Sequence, residues 1–167
     1  DYCLLADSVD FVYDFLSSTG VKNKKEAVFQ LHGGEPFLLG ADYWFNFWES
    51  IQKRGWTPQF KVQSNLLIFN EGIKDLLCEM KNKGVLLEVG TSFDFFTEFR
   101  QLKKEDYYKR WLINLEKYKY VLKDSRIMIN VVICKENYSF CKEIIEKAYQ
   151  LNANVKFNFL YGYKQPY

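Results

Sequence analysis

The chain is poor in metal-binding side chains: it has one histidine, His32, and four scattered cysteines, Cys3, Cys78, Cys134 and Cys141, with no Cys-x-x-Cys pair. With no histidine beside the thiols, a structural zinc site is excluded. The even number of cysteines does not imply disulfides, because 167 residues are enough to build a core without staples. A reduced, cytoplasmic setting is therefore expected. No apolar run approaches the ~20 residues needed to span a bilayer, so no membrane partner is expected, and no secretory signal opens the sequence. Charge of one sign is also scarce: 23 Lys and Arg face 21 Asp and Glu, a net +2, with no block of like charge. That excludes a nucleic-acid partner held by neutralising phosphates. No linker-like stretch divides the sequence, and its length fits one domain of roughly 100–200 residues.

What the chain has is apolar material in two alternating periods. Hydrophobic residues make up 48% and aromatics 19%, which suits a packed core. Val9, Val12 and Phe15 or Leu16 have helical spacing before Gly20. Ala27 to Leu31 reads as a strand that ends at a glycine pair. Asp42 is a candidate N-cap for a helix through Phe45, Trp48 and Ile51 to Gly55. Phe60 to Ser64 is the next strand, and Asn70 can cap a helix with Ile73, Leu76, Leu77 and Met80 on one face, closing at Gly84. Leu86 to Gly90 is a third strand. A stripe of Tyr108, Leu112, Leu115, Tyr118 and Leu122 predicts a long helix from about Glu105 to Lys123. Ile127 to Ile133 is a fourth strand. Asn137 or Ser139 can start a last helix, and Val155 to Leu160 closes the pattern as a fifth strand.

Five helices and five strands in strict alternation, at close to the ~30 residues of a βαβ unit, predict parallel strands. The apolar character of the strands suggests burial on both faces. A closed eightfold barrel wants about 250 residues. The expected fold is therefore α/β, a partial barrel whose first strand lies upstream, with an open doubly wound sheet as the competitor. Both architectures place active groups at the carboxyl ends of the strands.

Those ends are polar and rich in glycine. The first reads His32-Gly33-Gly34-Glu35-Pro36, the second Gln63-Ser64-Asn65, the third Gly90-Thr91-Ser92-Phe93-Asp94. Paired glycines let a ligand approach the backbone closely, and Pro36 fixes the exit geometry. Glu35 supplies acceptors for an ammonium, while Ser64, Asn65, Ser92 and Asp94 suit hydroxyls or a ring edge. Arg100 has the fork that holds a carboxylate. The lone His32 reads as a structural residue, and Cys78, Cys134 and Cys141 read as buried small hydrophobes.

Leu31 to Pro36, then Val62 to Asn65, then Val89 to Asp94 resemble, in order and spacing, the radical S-adenosylmethionine enzymes, particularly the peptide- and protein-modifying branch that includes anaerobic sulfatase-maturing enzymes. The resemblance spans most of the chain, taken as a core domain over residues 1–167 that is incomplete at its N-terminus and open to continuation at its C-terminus. It implies a partial (β/α)6 barrel that holds S-adenosylmethionine and a 4Fe-4S cluster. It also implies reductive cleavage of the sulfonium to a 5'-deoxyadenosyl radical that abstracts hydrogen from a peptide or protein substrate, with a flavodoxin- or ferredoxin-type reductant. By position, Gly33, Gly34, Glu35 and Pro36 would hold the cofactor's amino group. Ser64, Asn65, Ser92 and Asp94 would face its carboxylate, its ribose or the substrate, and Arg100 is similar to the family's carboxylate-binding arginine.

Two departures stand out. Phe95 follows Asp94 where the family has glycine, and the loop to Arg100 is short. The family's Cys-x-x-x-Cys-x-x-Cys loop is not complete either: Asp1-Tyr2-Cys3 resembles only its tail, so Cys3 would be the third cluster ligand and the other two would lie upstream. A polypeptide with one such thiolate is expected to be inactive alone. The alternative reading is a barrel without a cluster that binds a peptide or partner and catalyses nothing.

Overall fold

The alternation of periods becomes an alternation of elements. The computed structural model describes residues 6–20, 28–32, 34–53, 55, 57–93, 95, 104–123 and 127–159. The helices are α1 (Ala6–Ser18), α2 (Ala41–Lys53), α3 (Glu71–Asn82), α4 (Lys104–Leu122) and α5 (Cys141–Gln150). The strands are β1 (Val28–Leu31), β2 (Gln59–Ser64), β3 (Leu86–Ser92), β4 (Met128–Ile133) and β5 (Asn154–Phe159). Short 3-10 turns at Pro36–Leu39 and Tyr138–Phe140 lead into α2 and α5.

Local chemistry accounts for most boundaries. The Asn70 side chain accepts from the Ile73 backbone N–H at 2.9 Å and caps α3 as expected. Asp42, expected as the N-cap of α2, instead lies one residue inside the helix, where a carboxylate suits the positive end of the helix dipole. At α5 the expectation fails. Neither Asn137 nor Ser139 caps it; the helix starts at Cys141 after the 3-10 turn, with no side-chain cap bond.

Among the described residues five strands form one parallel sheet in sequential order, each pairing with its neighbours in sequence. A doubly wound sheet reverses its strand order at a switch point, and this sheet has no reversal. Right-handed crossovers in one direction put every connecting helix on the same face, which is the partial, open TIM-like barrel.

This topology corrects the expectation that both faces of the strands are buried. Along β2, Phe60, Val62 and Ser64 are buried while Gln59, Lys61 and Gln63 are only half-buried, and β4 alternates likewise between Ile129, Val131 and Ile133 and the residues between them. The helix-side face joins the aliphatic and aromatic core with Trp44, Trp48, Leu77, Trp111 and Leu115. The other face is polar, and the strand registers align Lys61 with Glu88, Gln63 with Gly90, and Ser92 with Asn130 and then Lys156.

Candidate functional site

Glu35 sits at the exit from β1, just ahead of the 3-10 turn, and its carboxylate reaches across to the end of β2. Oε1 accepts from the Ser64 hydroxyl at 2.7 Å and from the Phe37 N–H at 3.3 Å, and Oε2 accepts from the Asn65 N–H at 2.6 Å. A carboxylate has about four acceptor positions, so one remains on Oε2. That position suits an ammonium, the role the sequence suggested for Glu35. Gly34 adopts φ +59°, a conformation that favours glycine, and a side chain there would meet nothing within 4 Å. The turn beside Glu35 therefore has room for a ligand. Pro36 is buried, and its carbonyl accepts from Trp44 Nε1 at 2.8 Å, which anchors the turn on α2.

Ser64 lies on the helix side of the sheet, 2% exposed. Its hydroxyl donates to Glu35 and accepts from the Leu66 N–H at 3.0 Å, so it is engaged within the chain. Asn65 turns its side chain back to accept from the Leu67 N–H at 2.8 Å. Helix α4 holds the loop that follows: Asn114 donates to the Leu66 carbonyl and the Tyr118 hydroxyl to the Ile68 carbonyl, each at 2.7 Å. Leu66 takes φ 59° while fully buried, so its packing holds a backbone conformation that costs a non-glycine residue roughly 1–2 kcal/mol. In the sequence Tyr118 figures only as part of the apolar stripe of this helix and Asn114 is assigned nothing, because a lone asparagine beside such a stripe reads as ordinary helix.

Burial, with the Glu35 carboxylate close by, pushes the Tyr118 phenol far above its ordinary range. The unfolded chain releases this proton near pH 10 and the folded chain keeps it, so the stabilisation is complete below that pH and declines above it. Urea melts across the alkaline range are expected to show stability falling by up to about 1.4 kcal/mol per pH unit from this group. Tyr118→Phe, although less stable at neutral pH, is expected to flatten that slope, and equal slopes would refute the assignment.

The third limb of the site runs along the polar face. β3 continues to Ser92, two residues past its expected end, so Ser92 is a strand residue and not a loop residue. Gln63 Nε2 donates to Ser92 Oγ at 3.0 Å, and Asn130 Nδ2 donates to Gln63 Oε1 at 2.8 Å. Trp111 Nε1 donates to Thr91 Oγ1 at 3.2 Å behind the strand. Beyond it, Asn137, fully buried, donates to the Val132 carbonyl at 2.9 Å and the Phe95 carbonyl at 3.4 Å, and accepts from the Cys134 N–H at 2.9 Å. The sequence offered Asn137 as a helix cap; the structure uses it to bind the β3 and β4 exits together.

Of the candidate residues, Gly34, Glu35, Pro36, Ser64, Asn65 and Ser92 gather at the carboxyl ends of β1 to β3. Cys3, Gly33, Asp94 and Arg100 lie outside the described residues. Cys78, Cys134 and Cys141 are free and half-buried, more open than the buried hydrophobes expected of them. Among the described residues, no group of three or more His, Cys, Asp or Glu side chains is placed to hold a metal, and no helix is long and apolar enough to cross a membrane.

No protein-family model matches the chain, and no curated protein matches it. Among solved structures, one described as a tagged anSMEcpe with bound AdoMet is similar over 88% of this chain, with a TM-score of 0.68 and 19% identity. That protein is an anaerobic sulfatase-maturing enzyme of the radical SAM type, and the match covers 42% of its length, so this chain corresponds to less than half of it. At that identity the likeness establishes the fold alone: a parallel α/β sheet consistent with a partial TIM-like barrel.

Proposed function

We propose that this chain is the S-adenosylmethionine-binding core of a radical SAM-type enzyme that modifies a peptide or protein. The observation that carries the reading is the convergence of three strand exits. Glu35 is bonded to Ser64 and Asn65, and Gln63 on the same strand is bonded to Ser92, so the turns after β1, β2 and β3 meet on one rim. There the open acceptor position on Glu35 Oε2 suits the ammonium of an amino acid, and the Ser92 hydroxyl suits one of its oxygens or a ribose. The AdoMet bound by the similar solved structure supports this ligand over other amino acids.

The described residues do not fit a 4Fe-4S cluster, which needs several thiolates in one place; Cys78 lies in α3, Cys134 at the end of β4 and Cys141 at the start of α5. When bound, such a cluster supplies the electron that cleaves the sulfonium. In this reading Cys3, which lies outside the described residues, would be one of its ligands.

The test has two stages. AdoMet titrated calorimetrically into the 167-residue chain is expected to bind, and absence of heat at millimolar ligand would sink the binding role. The product of the complete reading frame, reconstituted anaerobically with iron and sulfide and then reduced, is expected to release 5'-deoxyadenosine. AdoMet binding without that product, in a preparation that holds its cluster, would favour the non-catalytic binding module.

A further inference from the structure

The hydrogen bonds on the polar face run in one direction. Asn130 Nδ2 donates to Gln63 Oε1, and Gln63 Nε2 donates to Ser92 Oγ. A carboxamide has its acceptor on one side and its donors on the other, so once Asn130 occupies the oxygen of Gln63, its nitrogen faces Ser92. Ser92 must then accept. A hydroxyl has a single hydrogen, and among the described residues that of Ser92 has no acceptor.

A second observation bears on the same network. Gly90 pairs with Gln63 and lies between it and Asn130, and a Cβ there would stand 2.4 Å from Gln63 Oε1 and 3.3 Å from Asn130 Nδ2. Gly90 is not at positive φ. The glycine therefore serves close approach: without a side chain at position 90, the Gln63 amide can lie across β3 and reach β4.

We infer that Asn130 and Gln63 are positioning residues that keep the Ser92 hydrogen free, so that the hydroxyl can donate toward a ligand oxygen. This rests on the AdoMet reading, and it adds that Ser92 offers its hydrogen to an acceptor on the ligand, a carboxylate or ether oxygen. Neither Asn130 nor Gln63 needs to touch the ligand to exert this effect.

Asn130→Asp separates the relay from simple electrostatics. Aspartate offers only acceptors, so the Gln63 amide turns over, its nitrogen faces the new carboxylate, and its oxygen takes the Ser92 hydrogen. Ser92 then presents lone pairs to the ligand, and AdoMet is expected to bind about tenfold more weakly. A bare charge effect predicts the opposite, since an added carboxylate attracts a ligand with both a sulfonium and an ammonium. In a Ser92→Ala background, Asn130→Asp is expected to lose its weakening effect, because the hydroxyl through which it acts is gone. Gly90→Ala should fold at least as well as the native chain, since alanine is the better strand residue, yet it displaces Gln63 and should weaken AdoMet several-fold.

Calorimetry on these variants, with thermal melts as the folding control, decides the point. If the native chain binds AdoMet while Asn130→Asp binds as tightly or tighter and Gly90→Ala is unchanged, the relay is wrong and the AdoMet reading survives. The ligand-free protein provides a separate check by 15N–1H spectra of side-chain amides. Gln63→Met is expected to shift the Asn130 NH2 resonances, and Ser92→Ala those of Gln63. Unmoved resonances would overturn the relay even if AdoMet fails to bind, and shifted ones would uphold it.

Discussion

Glu35→Ala is expected to lose AdoMet binding and part of the fold's stability together. The carboxylate receives the Ser64 hydroxyl at 2.7 Å and the Asn65 N–H at 2.6 Å, so its removal leaves a buried hydroxyl and a partly buried backbone donor without their acceptor. Hydrogen bonds to a charged group contribute roughly 1.5–3 kcal/mol each, and the Ser64 hydroxyl can rotate to recover part of its loss. A net cost of about 3 kcal/mol follows, or roughly 6–12 °C in melting temperature for a domain of this size. Glu35→Gln separates the two roles. Its amide oxygen can still receive Ser64, while its NH2 faces the Asn65 N–H, donor against donor, so about half the stability loss is expected. The ammonium loses its charged partner in both variants, which predicts binding at least about 10-fold weaker in each. Calorimetry well below the melting point of each variant, alongside urea melts, checks this. If Glu35→Gln binds AdoMet normally, Glu35 only ties β1 to β2.

The two roles of Glu35 show how far the sequence could be read. The turn motifs were legible because a strand end followed by Gly-Gly-Glu-Pro is a local signal, and so was the Asn70 cap, whose partner Ile73 lies three residues on. The links between turns were not legible. Glu35 and Asn65 are 30 residues apart and Gln63 and Asn130 are 67 apart, and what joins them is the register of parallel strands, which no short pattern encodes. The polar face was written in β2 as an alternation, Lys61 and Gln63 between Phe60, Val62 and Ser64, and in β4 as the single polar residue Asn130 in an apolar run. The β-branched neighbours of Asn130 made β4 look buried on both sides. The end of β3 was misplaced for a related reason: Gly90 and Thr91 look like a turn, yet pairing of Ser92 with Asn130 and a bond from the Phe93 N–H to the Asn130 carbonyl at 3.1 Å keep the strand going. On α4 the stripe read from the sequence holds at Leu115, Tyr118 and Leu122, which are buried. Tyr108 and Leu112 are only half-buried, while Trp111, Asn114 and Val121 join the buried face, because apolar residues on several sides of this helix leave the choice of face to the sheet it packs on.

The stripe read from the sequence omits the residue with the largest expected effect on stability. Trp111 is fully buried, lies 4.5 Å from the Phe93 ring centre and 6.3 Å from Phe95, and stacks on Tyr108 at 6.2 Å. It thus ties α4 to the exit of β3, the limb of the site that carries Ser92. Trp→Ala in a core costs about 3–5 kcal/mol. Thr91, itself fully buried, would also lose the indole N–H that reaches its hydroxyl, so the upper end of that range is expected. Against a typical total of about 5–15 kcal/mol, Trp111→Ala should leave the domain marginal. Trp111→Phe keeps the ring contacts and loses the N–H and part of the volume, so about half that cost is expected. Urea melts give both values. Where the Phe variant remains folded, AdoMet affinity should fall with the ordering of the β3 exit, reported by near-UV circular dichroism of the aromatic cluster. If the dichroism collapses and affinity holds, the β3 limb does not belong to the binding site, and the rim would consist of the β1 and β2 turns alone.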